Sequence, residues 1–359
     1  MTFLIAAAGT GGHVFPGLAV GEALVSLGVD RDDVGYVGGD RLEAKVYPDE
    51  GFRFTQVELA GLKRSLTLEN ARVPGVVMRA RADIRDEMTR TGVRAVLGMG
   101  GYVTIPAGLA ARARRVPFFN AEQNAEAGLA NRVAARWATQ TFVAFAVTGG
   151  LADGVWVGNP VREPFWDFDR GALRPNALEH YGIPDGVTVI GVFGGSLGAK
   201  AVNEAVTAML ARWEGPAVAV VHLTGESHLE AMSGLAAAGG VTWVRRGFEE
   251  RMELFYAVSD LVIARAGGAV AELTATATPS VLIPGEFGSG GHQAANARAL
   301  ETAGAAVVVA EDALGGLGAK VRGLVEDEGA REEMRRVAAA IAKPRAALTI
   351  AGTMIEAVT

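Results

Sequence analysis

Short apolar runs alternate with longer helical stretches along the first half of the chain. An apolar run without polar alternation is typical of a strand buried on both faces of a parallel sheet. Residues 16–27, 105–114 and 129–137 have the composition of the intervening helices. This alternation predicts a doubly wound α/β domain. Its strands are predicted at residues 3–8, 34–37, 55–57, 95–98, 117–119 and 141–144.

The same alternation restarts after an irregular segment. Residues 155–185 contain Pro160 and Pro164 and are polar, so we interpret them as the interdomain linker. The sequence therefore predicts two similar nucleotide-fold domains, residues 1–161 and 162–342, that face each other across a cleft. The helix of residues 343–359, after Pro344, is predicted to pack back on the first domain. The second set of strands is predicted at residues 187–193, 217–223, 241–244, 261–264, 280–283 and 306–309.

Glycine clusters follow several of these predicted strands. A glycine turn that opens a helix presents free backbone N–H groups and the positive end of the helix dipole to a ligand. One such turn is most often only a tight connection, but several at successive strand ends favour a glycine-lined binding site. The clusters lie at residues 9–12, 98–101, 194–198, 267–268 and 288–291.

The common nucleotide motifs are incomplete in these loops. None of them completes the Gly-x-Gly-x-x-Gly pattern, and none is followed by the Lys-Ser/Thr pair of a Walker A motif. Dehydrogenases and ATPases are therefore disfavoured. The Asp-x-Asp triplet at residues 30–32 follows a helix and so lies at the wrong end of the sheet, and the triplet at residues 167–169 lies in the linker. Neither triplet therefore predicts a site for a metal-bound diphosphate.

Composition narrows the function further. Of 359 residues, 50% are hydrophobic and 21% are charged, which is typical of a folded globular protein. There is no cysteine, which excludes disulfides, thiol catalysis and Cys-ligated metals. A net charge of −6 provides no field that would recruit nucleic acid. No basic N-terminal flank or long apolar run predicts a signal peptide or a membrane span, so we expect a soluble, cytoplasmic protein.

The glycine loops also carry a family resemblance. Residues 9–19 read GTGGHVFPGLA, residues 98–103 read GMGGYV, and shorter matches follow in order at EQN, GNPVR, GGS and HQ. These motifs resemble those of the MurG family of glycosyltransferases over nearly the whole chain. The resemblance implies the GT-B fold of two Rossmann-like domains, with the acceptor in the N-terminal domain and the donor in the C-terminal one.

The resemblance also implies a reaction. Members of the family transfer N-acetylglucosamine (GlcNAc) from UDP-GlcNAc to the C4 hydroxyl of MurNAc in undecaprenyl-pyrophosphoryl-MurNAc-pentapeptide, which is lipid I. The product is lipid II for peptidoglycan synthesis, formed with inversion and with no metal or other cofactor. This implies a protein that is peripheral on the cytoplasmic face of the cell membrane.

His13 is the predicted catalytic residue. It lies between a glycine loop and a helix, where the helix dipole favours the neutral imidazole that can accept a proton. The resemblance implies that it is the general base, and Glu122 and Glu126 are the nearest alternative carboxylates. The resemblance further implies two sets of binding residues. Those assigned to UDP-GlcNAc are Thr10, Gly11, Gly12, Asn124, Arg162, Ser196, Phe248, Glu249, Glu272 and Gln293. Those assigned to the acceptor and its diphosphate are Gly100, Gly101, Tyr102 and Gln123.

Several of these residues have a simpler interpretation. Phe248 is equally consistent with a residue of the hydrophobic core. Glu272 could serve only as a favourable negative charge near the start of a helix, and Ser196 could serve as a helix N-cap. The chain also departs from the family at Ala121, usually His, and at Leu197, usually Gln. The segments 265–272 and 286–291 differ as well. Two alternatives therefore remain: a GT-B transferase with a different acceptor, and a two-domain binding protein without catalysis.

A basic and apolar segment spans residues 62–85. By its pattern it is equally an amphipathic helix with a solvated basic face or a patch that contacts lipid. The resemblance favours contact with the anionic inner face of the cytoplasmic membrane. The residues assigned to this membrane patch are Lys63, Arg64, Arg72, Val76, Val77 and Arg79.

Overall fold

The computed structural model describes residues 2–59, 73–285 and 291–359. The chain divides into two compact units. Unit 1 comprises Met1–Glu163 and Pro344–Thr359, and unit 2 comprises Pro164–Lys343. The sequence places these divisions after residues 161 and 342.

Unit 1 is built on a parallel sheet of seven strands in the order β3-β2-β1-β4-β5-β6-β7. The interior strand β1 is buried along its whole length, as its apolar sequence predicts, with Ile5 between Tyr36 of β2 and Leu97 of β4. The strands are β1 (Thr2–Ala6), β2 (Val34–Gly38), β3 (Arg53–Gln56), β4 (Val93–Gly98), β5 (Phe118–Glu122), β6 (Gln140–Val143) and β7 (Val155–Trp156). The first five helices are α1 (Gly11–Ser26), α2 (Glu43–Asp49), α3 (Val73–Thr91), α4 (Thr104–Arg114) and α5 (Leu129–Ala134).

The chain order reverses between β1 and β4. In an open parallel sheet this switch point leaves a crevice at the carboxyl ends of the strands, where ligands bind. The glycine loops of residues 9–12 and 98–101 both lie at this point of unit 1.

Helix α1 begins earlier than the sequence indicates. The predicted start at Pro16 is wrong, because Gly11, Gly12 and His13 already form the first turn after the N-cap residue Thr10. Proline is most favoured at the first helical position, where its missing N–H would have no partner, but Pro16 is the sixth residue of α1. His13 therefore projects from a helix rather than from a loop.

Unit 2 repeats this topology with six parallel strands in the order β10-β9-β8-β11-β12-β13. Both faces of its sheet pack against helices: Val192 shares one core cluster with Val206 and Val321, and the next strand residue, Phe193, packs its ring against that of Phe255. Its strands are β8 (Thr188–Phe193), β9 (Val218–Leu223), β10 (Val241–Arg246), β11 (Leu261–Ala264), β12 (Ser280–Leu282) and β13 (Ala306–Val308). Its helices are α6 (Arg170–Tyr181), α7 (Lys200–Ala211), α8 (Glu226–Met232), α9 (Met252–Val258), α10 (Ala269–Ala275), α11 (His292–Ala303), α12 (Leu317–Glu326) and α13 (Glu328–Ile341).

The two units divide within the predicted linker, after Glu163, but the predicted irregular structure of residues 155–185 is wrong. Its start forms the edge strand β7, which pairs with β6, and its second half forms α6, which packs against α9. The Asp169 side chain caps α6 by accepting a hydrogen bond from the N–H of Ala172, and Gly182 ends the helix at φ +64°. These cap residues are signals in the sequence, but the neighbouring prolines obscured them.

The chain returns to unit 1 at its end. Helix α14 (Ala346–Glu356) follows Pro344 and packs against α1. Within the described residues, no helix combines the length and the apolar character that a membrane span requires.

Candidate functional site

Two glycine loops of unit 1 meet at His13. Gly100 and Gly101, after β4, adopt φ values of +93° and +75°. A Cβ atom at Gly100 would lie 2.8 Å from Cδ2 and 2.9 Å from Nε2 of His13, and one at Gly101 would lie 2.7 Å from the carbonyl oxygen of Ala8. The imidazole therefore packs directly against the backbone of Gly100. The structure brings the predicted base and the second glycine loop together.

Glu122 organises the neighbouring loop after β5. Its buried carboxylate accepts hydrogen bonds from the backbone and side-chain nitrogens of Asn124, each at 2.9 Å, the N–H of Gly128 at 2.9 Å and the amide of Asn131 at 2.8 Å. Four donors occupy its two oxygens. We therefore interpret Glu122 as an anchor of this loop rather than as an alternative base.

Asn131 is a site residue that the sequence reasoning missed. It is buried on α5, its amide also donates to the carbonyl of Ala121, and its Nδ2 lies 3.3 Å from the position of a Cβ at Gly100. The sequence shows only an amide residue in the predicted helix of residues 129–137, seven positions after Asn124, and its burial is visible only in the structure. Gln123 is also buried and donates to the Ala121 carbonyl, whereas Tyr102 is exposed.

The first glycine loop of unit 2 lies at the corresponding switch point. Gly195 and Gly198 have φ values of +101° and +74°, and a Cβ at Gly198 would lie 2.1 Å from the carbonyl oxygen of Thr224. Between them Ser196 is exposed, and Leu197 is 83% exposed. The tight turn thus presents the side chain of Ser196 to solvent just ahead of α7, where an anion is favoured.

Phe248 and Glu249 follow β10 at the same edge of the unit 2 sheet. Phe248 is 50% exposed, so the interpretation as a core residue is wrong. The buried carboxylate of Glu249 accepts hydrogen bonds from Tyr181 at 2.8 Å, Arg246 at 2.8 Å and the N–H of Arg251 at 3.0 Å.

His180 also contacts Glu249, with its Nε2 3.0 Å from the carboxylate. Burial acts to raise the pKa of Glu249, but the hydrogen bonds from His180, the Arg251 N–H and Tyr181 outweigh it and lower the pKa. This network fixes the backbone that carries the exposed Phe248 ring.

Glu272 and Gln293 are each held by a neighbour. Tyr256 is fully buried and donates a hydrogen bond of 2.7 Å to Glu272 Oε2; burial and the charge of Glu272 raise the pKa of this tyrosine well above its usual value. Gln293, in the first turn of α11, accepts a hydrogen bond of 2.8 Å from the N–H of Gly285. The loop of residues 286–290 before it lies outside the described residues.

Arg162 is not brought to the glycine loops of unit 1. Its guanidinium is 2.6 Å from Glu22 and 3.2 Å from Glu50. Burial acts to lower the pKa of Arg162, but these two carboxylates outweigh it and raise the pKa. Glu22 lies nine residues after His13 on α1, which is about 13 Å along the helix axis. Binding a diphosphate would require Arg162 to exchange this ion pair.

The predicted membrane patch is only partly described. Lys63, Arg64 and Arg72 lie outside the described residues. Val76 is 7% exposed and lies on the buried side of α3 at the helical spacing Val73, Val76, Ala80, so its assignment to an exposed patch is wrong. Val77 is half-buried, and Arg79 is exposed near Glu58.

Known proteins resemble this chain over its whole length. The glycosyltransferase family 28 N-terminal domain matches residues 3–143, and the glycosyltransferase family 28 C-terminal domain matches residues 189–350. The chain is 36% identical to the UDP-N-acetylglucosamine--N-acetylmuramyl-(pentapeptide) pyrophosphoryl-undecaprenol N-acetylglucosamine transferase of Rhodococcus opacus, covering 99% of this chain and 96% of that protein. It is 38% identical to the protein of the same name from Acidithiobacillus ferrooxidans, covering 98% and 97%. The crystal structure of Acinetobacter baumannii MurG matches with a TM-score of 0.79 at 28% identity, covering 99% and 100%.

The chain belongs to the MurG family of glycosyltransferases. The predicted GT-B fold of two Rossmann-like domains is confirmed, and so is the prediction of a glycosyltransferase. Membership in the MurG family excludes the alternative of a binding protein without catalysis. Ala121 is buried in β5, and its carbonyl accepts hydrogen bonds from the side-chain amides of Gln123 and Asn131.

Proposed function

We propose that this member of the MurG family transfers GlcNAc from UDP-GlcNAc to the C4 hydroxyl of MurNAc in lipid I, giving lipid II. The relatives from Rhodococcus opacus and Acidithiobacillus ferrooxidans are named for this acceptor and this sugar. The observation that carries the proposal within the chain is the contact between His13 and Gly100 at the switch point of unit 1. This is the position at which open parallel sheets bind their ligands.

In the proposed reaction His13 acts as the general base. Its neutral imidazole accepts the proton of the C4 hydroxyl while the hydroxyl oxygen bonds to the anomeric carbon of the donor. The bond from that carbon to the β-phosphate oxygen breaks, and UDP leaves with the electron pair. Attack on the face opposite the leaving group inverts the anomeric centre.

Unit 2 provides the donor side in this proposal. The exposed ring of Phe248 and the backbone of Glu249 bind uracil, and Glu272 accepts hydrogen bonds from the ribose hydroxyls. Ser196 and the N–H groups of its loop bind the diphosphate and stabilise the charge that develops on UDP. Gln293 contacts the GlcNAc hydroxyls.

Unit 1 provides the acceptor side. Gly101, Tyr102 and Gln123 face the acceptor and its diphosphate beside His13, and Asn124 contacts the sugar. Thr10, Gly11 and Gly12, which the resemblance assigns to UDP-GlcNAc, form the N-cap and the start of α1, whose N–H groups favour the negative charge of the donor diphosphate. A lipid-linked acceptor also requires the protein at a membrane surface, and we propose peripheral contact through exposed cations near Arg79.

The test uses labelled UDP-GlcNAc and a lipid I analogue. We expect a labelled glycolipid from the wild type, and kcat lower by about 10²–10⁴ in His13→Ala and His13→Gln, the usual effect of a positioned general base. Calorimetric UDP binding should be unchanged in both variants. UDP release without a glycolipid product would favour another acceptor, and near-normal turnover in His13→Gln would show that His13 only orients the substrate.

A further inference from the structure

A buried carboxylate links two strand ends of unit 1. Glu43, the first residue of α2, is 1% exposed. Its Oε2 accepts a hydrogen bond of 3.1 Å from the N–H of Gly9, and its Oε1 accepts one of 3.0 Å from the N–H of Gly39. Gly9 follows β1 and Gly39 follows the adjacent strand β2. One side chain therefore ties together the carboxyl ends of two neighbouring strands.

The glycines around Glu43 leave the space that its side chain occupies. A Cβ atom at Gly38 would lie 2.7 Å from Glu43 Cγ, and one at Gly39 would lie 3.1 Å from Oε1. A buried carboxylate is costly unless its charge is hydrogen-bonded, and charge-assisted bonds from backbone N–H groups are the strong kind. The contact is therefore specific for a carboxylate of this length.

The segment that Glu43 holds leads directly to His13. Gly9 adopts φ +104°, Thr10 is the N-cap of α1, and His13 is in the first turn. From the other side, Gly101 approaches the carbonyl of Ala8 so closely that no side chain fits there. The backbone of residues 8–9 is thus held between two neighbours, and its placement determines where α1 begins.

We propose that Glu43 is a positioning residue for sugar transfer: its carboxylate fixes the loop from which His13 reaches the acceptor hydroxyl. The proposal rests on the proposed function, in which His13 is the base. Glu43 itself touches no substrate. Its effect on rate comes through geometry, because a displacement of about 1 Å in a catalytic group lowers the rate by about 10²-fold.

Glu43→Gln tests this role because it keeps the size of the side chain. The amide offers one acceptor oxygen and turns an NH₂ group towards one of the two N–H groups. We expect kcat to fall about tenfold or more, since the base is displaced by a fraction of 1 Å. The KM for UDP-GlcNAc should stay within about twofold of the wild-type value, because the contacts that bind the donor equally in the ground state and the transition state are unchanged.

Tyr36→Phe is the control in the same unit. It removes the buried hydrogen bonds from the Tyr36 hydroxyl to the carbonyls of Gly17 and Leu18, at least one turn beyond His13, and leaves both bonds of Glu43 in place. We expect it to lower the Tm while kcat stays normal. Far-UV circular dichroism and thermal unfolding check that each variant is folded, because UDP is assigned to unit 2 and its binding would not report on unit 1. Glu43→Asp, which keeps the charge on a shorter stem, is the second variant, and its kcat should fall as well.

The double variant His13→Ala/Glu43→Gln separates positioning from general stability. If Glu43 acts through His13, adding Glu43→Gln to His13→Ala changes kcat by less than about twofold, because coupled residues are not additive. Three results would overturn the proposal: normal kcat in a folded Glu43 variant, independent losses in the double variant, or an equal kcat loss in Tyr36→Phe. Failure of the proposed function looks different: the wild type makes no labelled glycolipid, or His13→Ala is fully active.

Discussion

Gly100→Ala is expected to disable His13 without changing any ionisable group. At φ +93° an alanine carries backbone strain of about 1–2 kcal/mol. Its methyl group would also lie 2.8 Å from Cδ2 of His13, whereas carbon atoms pack at about 3.5–4.0 Å. The imidazole must therefore move by about 1 Å, and a displacement of that size costs about 10²-fold in kcat.

Gly28→Ala is the matched control for this variant. Gly28 lies in the same unit at φ +94°, and a Cβ there would meet no atom within 4 Å. Both variants have the same backbone strain, and this strain should lower the Tm of unit 1 by about 2–8 °C. Only Gly100→Ala also pushes against His13.

The assay compares steady-state transfer of labelled GlcNAc with thermal unfolding for both variants. We expect kcat to fall about 10²-fold in Gly100→Ala and to stay within about twofold of the wild type in Gly28→Ala. The KM for UDP-GlcNAc should not change in either. Equal kcat in the two variants would refute the inference that His13 acts from its position against Gly100.

Three further predictions concern unit 2. Tyr256→Phe removes the hydroxyl that orients Glu272, and should raise the KM for UDP-GlcNAc about three- to tenfold with little change in kcat; an unchanged KM would contradict ribose binding by Glu272. Phe248→Ala should weaken UDP binding by about tenfold in calorimetry, since base–aromatic stacking contributes about 1–3 kcal/mol, and normal affinity would exclude stacking on uracil. The lowered pKa of Glu249 adds stability that is present above its unfolded value of 4.5 and is lost as pH falls through the folded value. The Tm of the wild type should therefore fall more steeply below pH 4.5 than that of Glu249→Gln, and parallel curves would contradict this linkage.

The sequence by itself determined the architecture. Every strand predicted from an apolar run lies on a strand of the two sheets. Interior strands such as β1 and β8 are covered on both faces and are therefore largely apolar, whereas the edge strands β3 and β10 are only partly buried and β7 was not predicted. It also located the glycine loops at the strand ends. Gly100, Gly101 and Gly195 adopt positive φ, a conformation that other residues rarely take, so the turn leaves a direct mark in the sequence.

Helical segments with mixed signals were less predictable. Pro160 and Pro164 indicated an irregular linker, yet the caps at Asp169 and Gly182 enclose a regular helix. Likewise, the basic residues of the segment 62–85 did not indicate whether Val76 faces solvent or the hydrophobic core. Its burial follows from the phase of the helix against the sheet, which the packing of unit 1 sets.

Only the tertiary structure decided how the site is held together. Glu43 contacts Gly9 across 34 positions of sequence, and no local pattern distinguishes its carboxylate from one facing solvent. Arg162 is bound to Glu22, 140 positions away, although its motif suggested a phosphate ligand. A parallel sheet brings the ends of distant strands to one edge, so the partners of each side chain there depend on strand order and register. Those are properties of the folded sheet and not of any segment of the chain.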